Sequence, residues 1–285
     1  MSQKEKFIHA LGQTNKEHFA MTCKDADVIL VIGTLPSRND AVLAQEIEAC
    51  VDSGTKLIYL FTMEDPKLSS KSAFFSRYEV GSEEGVFALL AKSFLLHVKL
   101  PERLKTYFEE LDEGYVSAES NIGEEEIEEI EAICSNATNI LLVLGEDLMS
   151  HPCATQIANF AGLIANHASN VSLYVVGARQ DDLRTATPNE TMHEIDNIPS
   201  FDGVVVYQCP MVQDTEAQLL MGSPQFQMAA RVQNNETINV TINQEVYRRT
   251  FVRDDSLKGV IALMPCDKAS AVYPYHVAKI VKAEQ

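Results

Sequence analysis

Two short runs of branched apolar residues, each closed by a glycine, constrain this chain more than any other feature. Asp27-Val28-Ile29-Leu30-Val31-Ile32-Gly33 and Asn139-Ile140-Leu141-Leu142-Val143-Leu144-Gly145 hold nothing polar between their first residue and the glycine. A strand wetted on one face alternates apolar and polar residues, and these do not. They belong to strands covered on both faces, as in a parallel sheet between helices. Each is followed by a helical pattern and a second apolar run. After the first, Asp40–Ser53 sets Leu43, Ile47 and Cys50 or Val51 on one face. Gly54 stands where a helix stops, and Lys56-Leu57-Ile58-Tyr59-Leu60-Phe61 resumes an extended run. After the second, Cys153–His167 turns Ile157, Phe160, Ala161 and Ile164 inward, and Val171–Gly177 follows. Gly203–Tyr207 reads as one more strand. The predicted class is α/β, with two Rossmann-like parallel-sheet halves over residues 1–115 and 116–225.

The connecting segments are helical. Glu83–Leu100 carries Val86, Leu89, Leu90 and Phe94 on one face, Pro101 interrupts it, and Glu102–Leu111 forms a second helix. The run Glu124–Glu131 predicts an acidic helix with Ile127, Ile130 and Ile133 or Cys134 as its apolar stripe. Its carboxylates lie near the start, where the helix dipole favours them. Residues 226–285 change character: Thr237-Ile238-Asn239-Val240-Thr241-Ile242 alternates strictly, and Tyr247–Val252 and Gly259–Met264 are strand-like. They predict a small C-terminal antiparallel β element without a helix between Arg231 and Pro265.

Charge excludes some partners. Against 23 basic residues stand 41 acidic ones, a formal net charge of -18. That field repels phosphate backbones, so no nucleic acid is expected. No apolar stretch reaches the roughly 18–20 residues of a membrane span, and Met1–Phe7 lacks the apolar core of a signal peptide, so direct membrane insertion is not expected and a cytoplasmic location is. The five N-x-S/T triplets, at Asn136, Asn170, Asn189, Asn235 and Asn239, then carry no meaning. The six cysteines, Cys23, Cys50, Cys134, Cys153, Cys209 and Cys266, show no C-x-x-C spacing and read as small buried hydrophobes, with no metal site.

Tests for chemistry return little. G-x-G-x-x-G, the P-loop, G-x-S-x-G and H-E-x-x-H are all absent. The candidate for a retained ligand site is the turn after the first strand, with Gly33, Thr34, Ser37, Arg38 and Asn39 as vestigial cofactor-binding residues. Backbone N–H groups and a helix start could hold an anion there, with Arg38 adding a charged contact. The plainer reading is a βα turn capped by Asn39 or Asp40. His151, beside Pro152 after the second strand, stands where ligands bind in parallel sheets, although packing or a hydrogen bond at a helix start is the favoured reading. Arg248, Arg249 and Arg253 form the strongest basic cluster and suggest an interface or a salt-bridged edge. No catalytic residue is assigned.

Read as a whole, Ala26-Asp27-Val28-Ile29-Leu30-Val31-Ile32-Gly33-Thr34-Leu35-Pro36, continuing through Val42-Leu43-Ala44 to Gly54-Thr55-Lys56-Leu57-Ile58, resembles the segment A-D-V-I-L-x-I-G-x-N-P…V-L-A…G-A-K-L-I of the molybdopterin oxidoreductase family. Arg77–Leu90, Leu141–Gly145 with Ser150-His151-Pro152, and Ile238–Pro265 follow in that family's order. Tyr174-Val175-Val176-Gly177-Ala178-Arg179, with its polar continuation to Pro188, resembles a stretch of the large peripheral subunit of respiratory NADH:quinone oxidoreductases, complex I. The family's cluster-binding cysteines are missing, Cys23 lies too close to Ala26 to be the metal ligand, and Phe61–Lys67 departs from its D-P-R-R. The resemblance therefore implies a non-catalytic structural or assembly part of the peripheral arm of complex I, its cofactor lost. Its partners would be other complex I subunits, and its place the cytoplasmic side of the inner membrane. One alternative is a chain binding molybdopterin guanine dinucleotide and completed by a partner. Another is an unrelated soluble nucleotide-binding module.

Overall fold

The computed structural model describes residues 2–12, 22–178, 192–267 and 272–283. Along the chain run α1 (Gln3–Leu11), β1 (Val28–Ile32), α2 (Pro36–Asn39), α3 (Ala41–Asp52), β2 (Lys56–Leu60), β3 (Phe74–Ser76), α4 (Glu83–Leu95), α5 (Glu102–Glu110), α6 (Glu113–Ser120) and α7 (Glu124–Cys134). There follow β4 (Ile140–Leu144), α8 (Glu146–Ser150), α9 (Ala154–His167), β5 (Val171–Val175), β6 (Val205–Pro210), β7 (Leu219–Gly222), α10 (Pro224–Ala230), β8 (Thr237–Ile242), β9 (Glu245–Arg253), β10 (Ile261–Cys266), β11 (Tyr275–Val277) and β12 (Lys279–Lys282). They belong to two compact units, one of residues 1–34, 42–62 and 67–199, the other of residues 35–41, 63–66 and 200–285.

The first unit is α/β. Its five strands are all parallel, in the order β3-β2-β1-β4-β5. The two strand–helix–strand halves share this one sheet, because β1 pairs with β4 along its whole length, Val28 beside Ile140 and Ile32 beside Leu144. Every residue of β1 and β4 is buried, as an uninterrupted apolar run requires. The starts of the two strands are fixed by one carboxylate: Asp27 accepts from Thr138 N, Thr138 Oγ1 and Asn139 N at 2.7–2.9 Å. α9 buries Ile157, Phe160, Ala161 and Ile164, while α7 buries Ile130 fully and only half-buries Ile127 and Ile133. α1 is closed by a capping box between Ser2 and Glu5 and buries Phe7 and Leu11. It packs so closely on α9 that a Cβ at Gly162 would lie 2.1 Å from the Leu11 carbonyl oxygen.

The second unit holds a mixed seven-stranded sheet, ordered β11-β6-β10-β7-β9-β8-β12. Leu220, Phe226, Ile238, Val240 and Phe251 centre its core. β8 and β9 form the predicted antiparallel pair, and the alternation of β8 is its burial pattern. The β element is larger than expected, since β6 pairs here, parallel to β10 and antiparallel to β11. An apolar run such as Val204-Val205-Val206-Tyr207 demands cover on both faces but does not say which sheet supplies its neighbours. β9 lies inside the sheet, so Arg248, Arg249 and Arg253 do not lie on an edge. Among the described residues no helix is long and apolar enough to cross a membrane. The Arg179–Pro188 continuation and Asn189 lie outside the described residues.

Candidate functional site

In open parallel sheets, ligands bind beyond the carboxyl ends of the strands where the strand order reverses. Here that point lies between β1 and β4, and it is closed by backbone. Gly145 N donates to Ile32 O at 2.9 Å, and Asp147 N donates to Gly33 O at 3.1 Å. The turns leaving the two strands thus pair with each other. A Cβ on Gly145 would stand 1.9 Å from Gly33 O, and one on Gly33 would stand 2.4 Å from Leu148 Cγ. Gly33 takes φ +74°, the left-handed region open to glycine. Two glycines at these ends therefore serve close approach of backbone to backbone.

The residues of the predicted loop fall into different units. Gly33 and Thr34 belong to the first, where Thr34 is fully buried and its carbonyl accepts the Tyr59 hydroxyl at 3.0 Å. Ser37, Arg38 and Asn39 belong to the second. There the Asp65 carboxylate accepts from Ser37 N at 2.9 Å and from Ser37 Oγ at 2.6 Å. Arg38 is paired with Glu216 at 2.6 Å, and Asn39 Nδ2 donates to the Tyr207 hydroxyl at 2.8 Å. The positions a phosphate would take against Ser37 and Arg38 are filled by the chain's own carboxylates. Thr34 Oγ1 and Asn39 Oδ1 are buried without a hydrogen bond among the described residues.

Beside the closed crevice, the first unit buries a polar cluster. His151 is 3% exposed, and its Nδ1 accepts from Cys153 N at 2.9 Å. That bond assigns the ring proton to Nε2, which lies 3.1 Å from Gly81 O and 3.3 Å from Glu83 Oε2. Both ring nitrogens are therefore engaged. The Cys153 thiol is pushed up to about 12, first by burial and then by its hydrogen bond to Glu84 and the nearby carboxylates. A thiol so raised is disfavoured as thiolate, the form that acts as nucleophile. Burial also raises the Glu84 carboxyl above its ordinary range, and burial with the charges of Glu83 and Asp147 holds the Tyr78 phenol well up. Among the described residues no three His, Cys, Asp or Glu side chains are grouped to hold a metal ion.

His151 stands out in the sequence, but no motif marks its neighbours Glu83, Glu84 and Asp147. A weaker signal exists. Val86 to Ala91 of α4 are apolar and buried without a break, so the helix is enclosed all round and drags the pair at its first turn inside with it.

No family model matches the sequence, and no curated protein matches it. The fold has a solved counterpart. Acetylene hydratase from Pelobacter acetylenicus matches with a TM-score of 0.69 over 99% of this chain and 81% of that one, at 7% sequence identity. At that identity the likeness is one of fold. It corrects the resemblance drawn from the sequence: no family model or curated relative supports the molybdopterin oxidoreductase assignment, and the structural neighbour is a hydratase, not the large peripheral subunit of complex I. The NADH dehydrogenase and electron-transport reading falls with it. The physical reason lies in the matched residues. An apolar strand, a glycine turn and a helix are what any parallel α/β sheet needs, so Ala26–Ile58 specifies a fold and not a family.

Proposed function

We propose that this chain is a non-catalytic structural protein that works by binding a protein partner rather than a small molecule. One observation carries the reading: the β1–β4 reversal, the place where a doubly wound sheet offers a ligand site, is sealed by Gly33, Gly145 and Leu148. The chemistry beside it points the same way, since the His151 ring is engaged at both nitrogens and the Cys153 thiol is held protonated. The activity in the structural neighbour's name is not carried over at 7% identity. We place the chain in the cytoplasm, a reading that six free cysteines support, because oxidising compartments pair them.

The test is thermal unfolding with ATP, GTP, NAD, FMN and molybdopterin guanine dinucleotide, each in large excess. A ligand at a hundred times its Kd adds about 2.7 kcal/mol, a shift of several degrees in a chain of this size. No shift is expected with any of the five. A shift of that size with one of them would contradict the proposal.

A further inference from the structure

The sheet of the second unit turns one side to the core of Leu220, Phe226 and Phe251. On its other side, across β9, β8 and β12, the register sets two rows, each three strands wide. Val246 stands opposite Thr241, and Thr241 opposite Lys279; Arg248 stands opposite Asn239, and Asn239 opposite Val281. Residues opposite one another share a face. Each row therefore carries one valine and one cation at its ends, in reverse order, so that like groups lie on diagonals. Val246 is 62% exposed and Val281 44%, and the half-buried Val252 and Met221 extend the apolar part onto β7.

Lys282 is tied to Glu236, Arg253 to Asp255 and Lys258 to Glu64, whereas Arg248 and Lys279 have no ion pair among the described residues. In a chain with 41 acidic against 23 basic residues, carboxylates to pair them are plentiful. Lysine on an edge strand guards against strand-to-strand association, which would account for Lys279 alone. It does not account for Arg248, which sits on an interior strand, or for exposed valines between the charges.

We propose that this face docks a partner protein through a segment in which carboxylates are interspersed with apolar side chains. A second copy of this chain and an anionic lipid surface are the other possible occupants, and the adducts described below distinguish both from a partner protein. Charge complementarity guides the approach while the valines and Met221 supply the buried contact. The proposal rests on the partner-binding reading above and adds the surface and the partner's chemistry.

A photo-crosslinking residue in place of Val246, introduced in the cells that make the protein, tests it when adducts are mapped by mass spectrometry. The expected adducts fall on one acidic, partly apolar segment of one other protein. Changing both Arg248→Glu and Lys279→Glu should cut their yield roughly tenfold, with an unchanged melting temperature showing that the variant folds. Adducts on lipid or on this chain's own peptides, no adduct, or a yield indifferent to the charge reversal would each overturn it. If the chain copurifies with a partner while Val246 stays unmarked, the face is wrongly assigned and the functional reading stands. If it isolates alone and unmarked, both fall.

Discussion

A methyl group on Gly145 would meet the Gly33 carbonyl oxygen at 1.9 Å, a distance that only a backbone shift could relieve. Gly145→Ala should therefore destabilise the chain by about 3 kcal/mol, the upper part of the usual range for overpacking, read as a lower denaturant midpoint. Glu84 tests the buried cluster through pH. Its carboxyl is raised in the folded state, so the folded chain binds that proton more tightly than the unfolded chain does. From the ordinary carboxylate range up to the raised value, its contribution to stability is lost as pH rises. Glu84→Gln keeps an acceptor for the Cys153 thiol and removes the ionisation. The variant should match the parent at the acid end of the ordinary carboxylate range and exceed it by a margin that grows with pH until the raised value is passed; a melting-temperature difference that is constant with pH would contradict the assignment. At this scale the sequence is partly legible. The turn Gly33–Asn39 draws attention for sound reasons, but Asp65 and Glu216, which take up Ser37 and Arg38, lie 28 and 178 residues further on, and no local pattern announces them.

Elements whose patterns are periodic are readable, and those fixed by distant packing are not. α9 and β8 follow from spacing alone, because Ile157, Phe160, Ala161 and Ile164 repeat at helical intervals and Ile238, Val240 and Ile242 at every second residue. β3, with three residues, is too short for a period to show, α1 buries only Phe7, Ile8, Ala10 and Leu11, and α6 has only Val116 and Ser120 to bury. The Ser2–Glu5 capping box is the available clue to α1. Its docking is consequential. Phe7 is wholly buried, and Gly162 admits the helix to close range. Phe7→Ala should cost about 3–5 kcal/mol in denaturant unfolding. A cost below about 1 kcal/mol would mean that α1 contributes little to the first unit.

For the whole molecule, apolar runs and glycines specify an α/β class, and the counterpart at 7% identity has the same fold. They do not specify kinship or task. Strand, turn and helix requirements recur in every parallel sheet, while the geometry at the strand ends is decided by tertiary contacts such as the Gly33–Gly145 approach. We propose that this chain acts through protein contact and that its β1–β4 reversal holds no small molecule. Native mass spectrometry of the chain, gently isolated at low salt from the cells that make it, measures both halves at once. The expected particle is heavier than the chain by the mass of another protein, with no small molecule bound to the chain itself. A free chain, or one carrying a stoichiometric nucleotide or pterin, would contradict it.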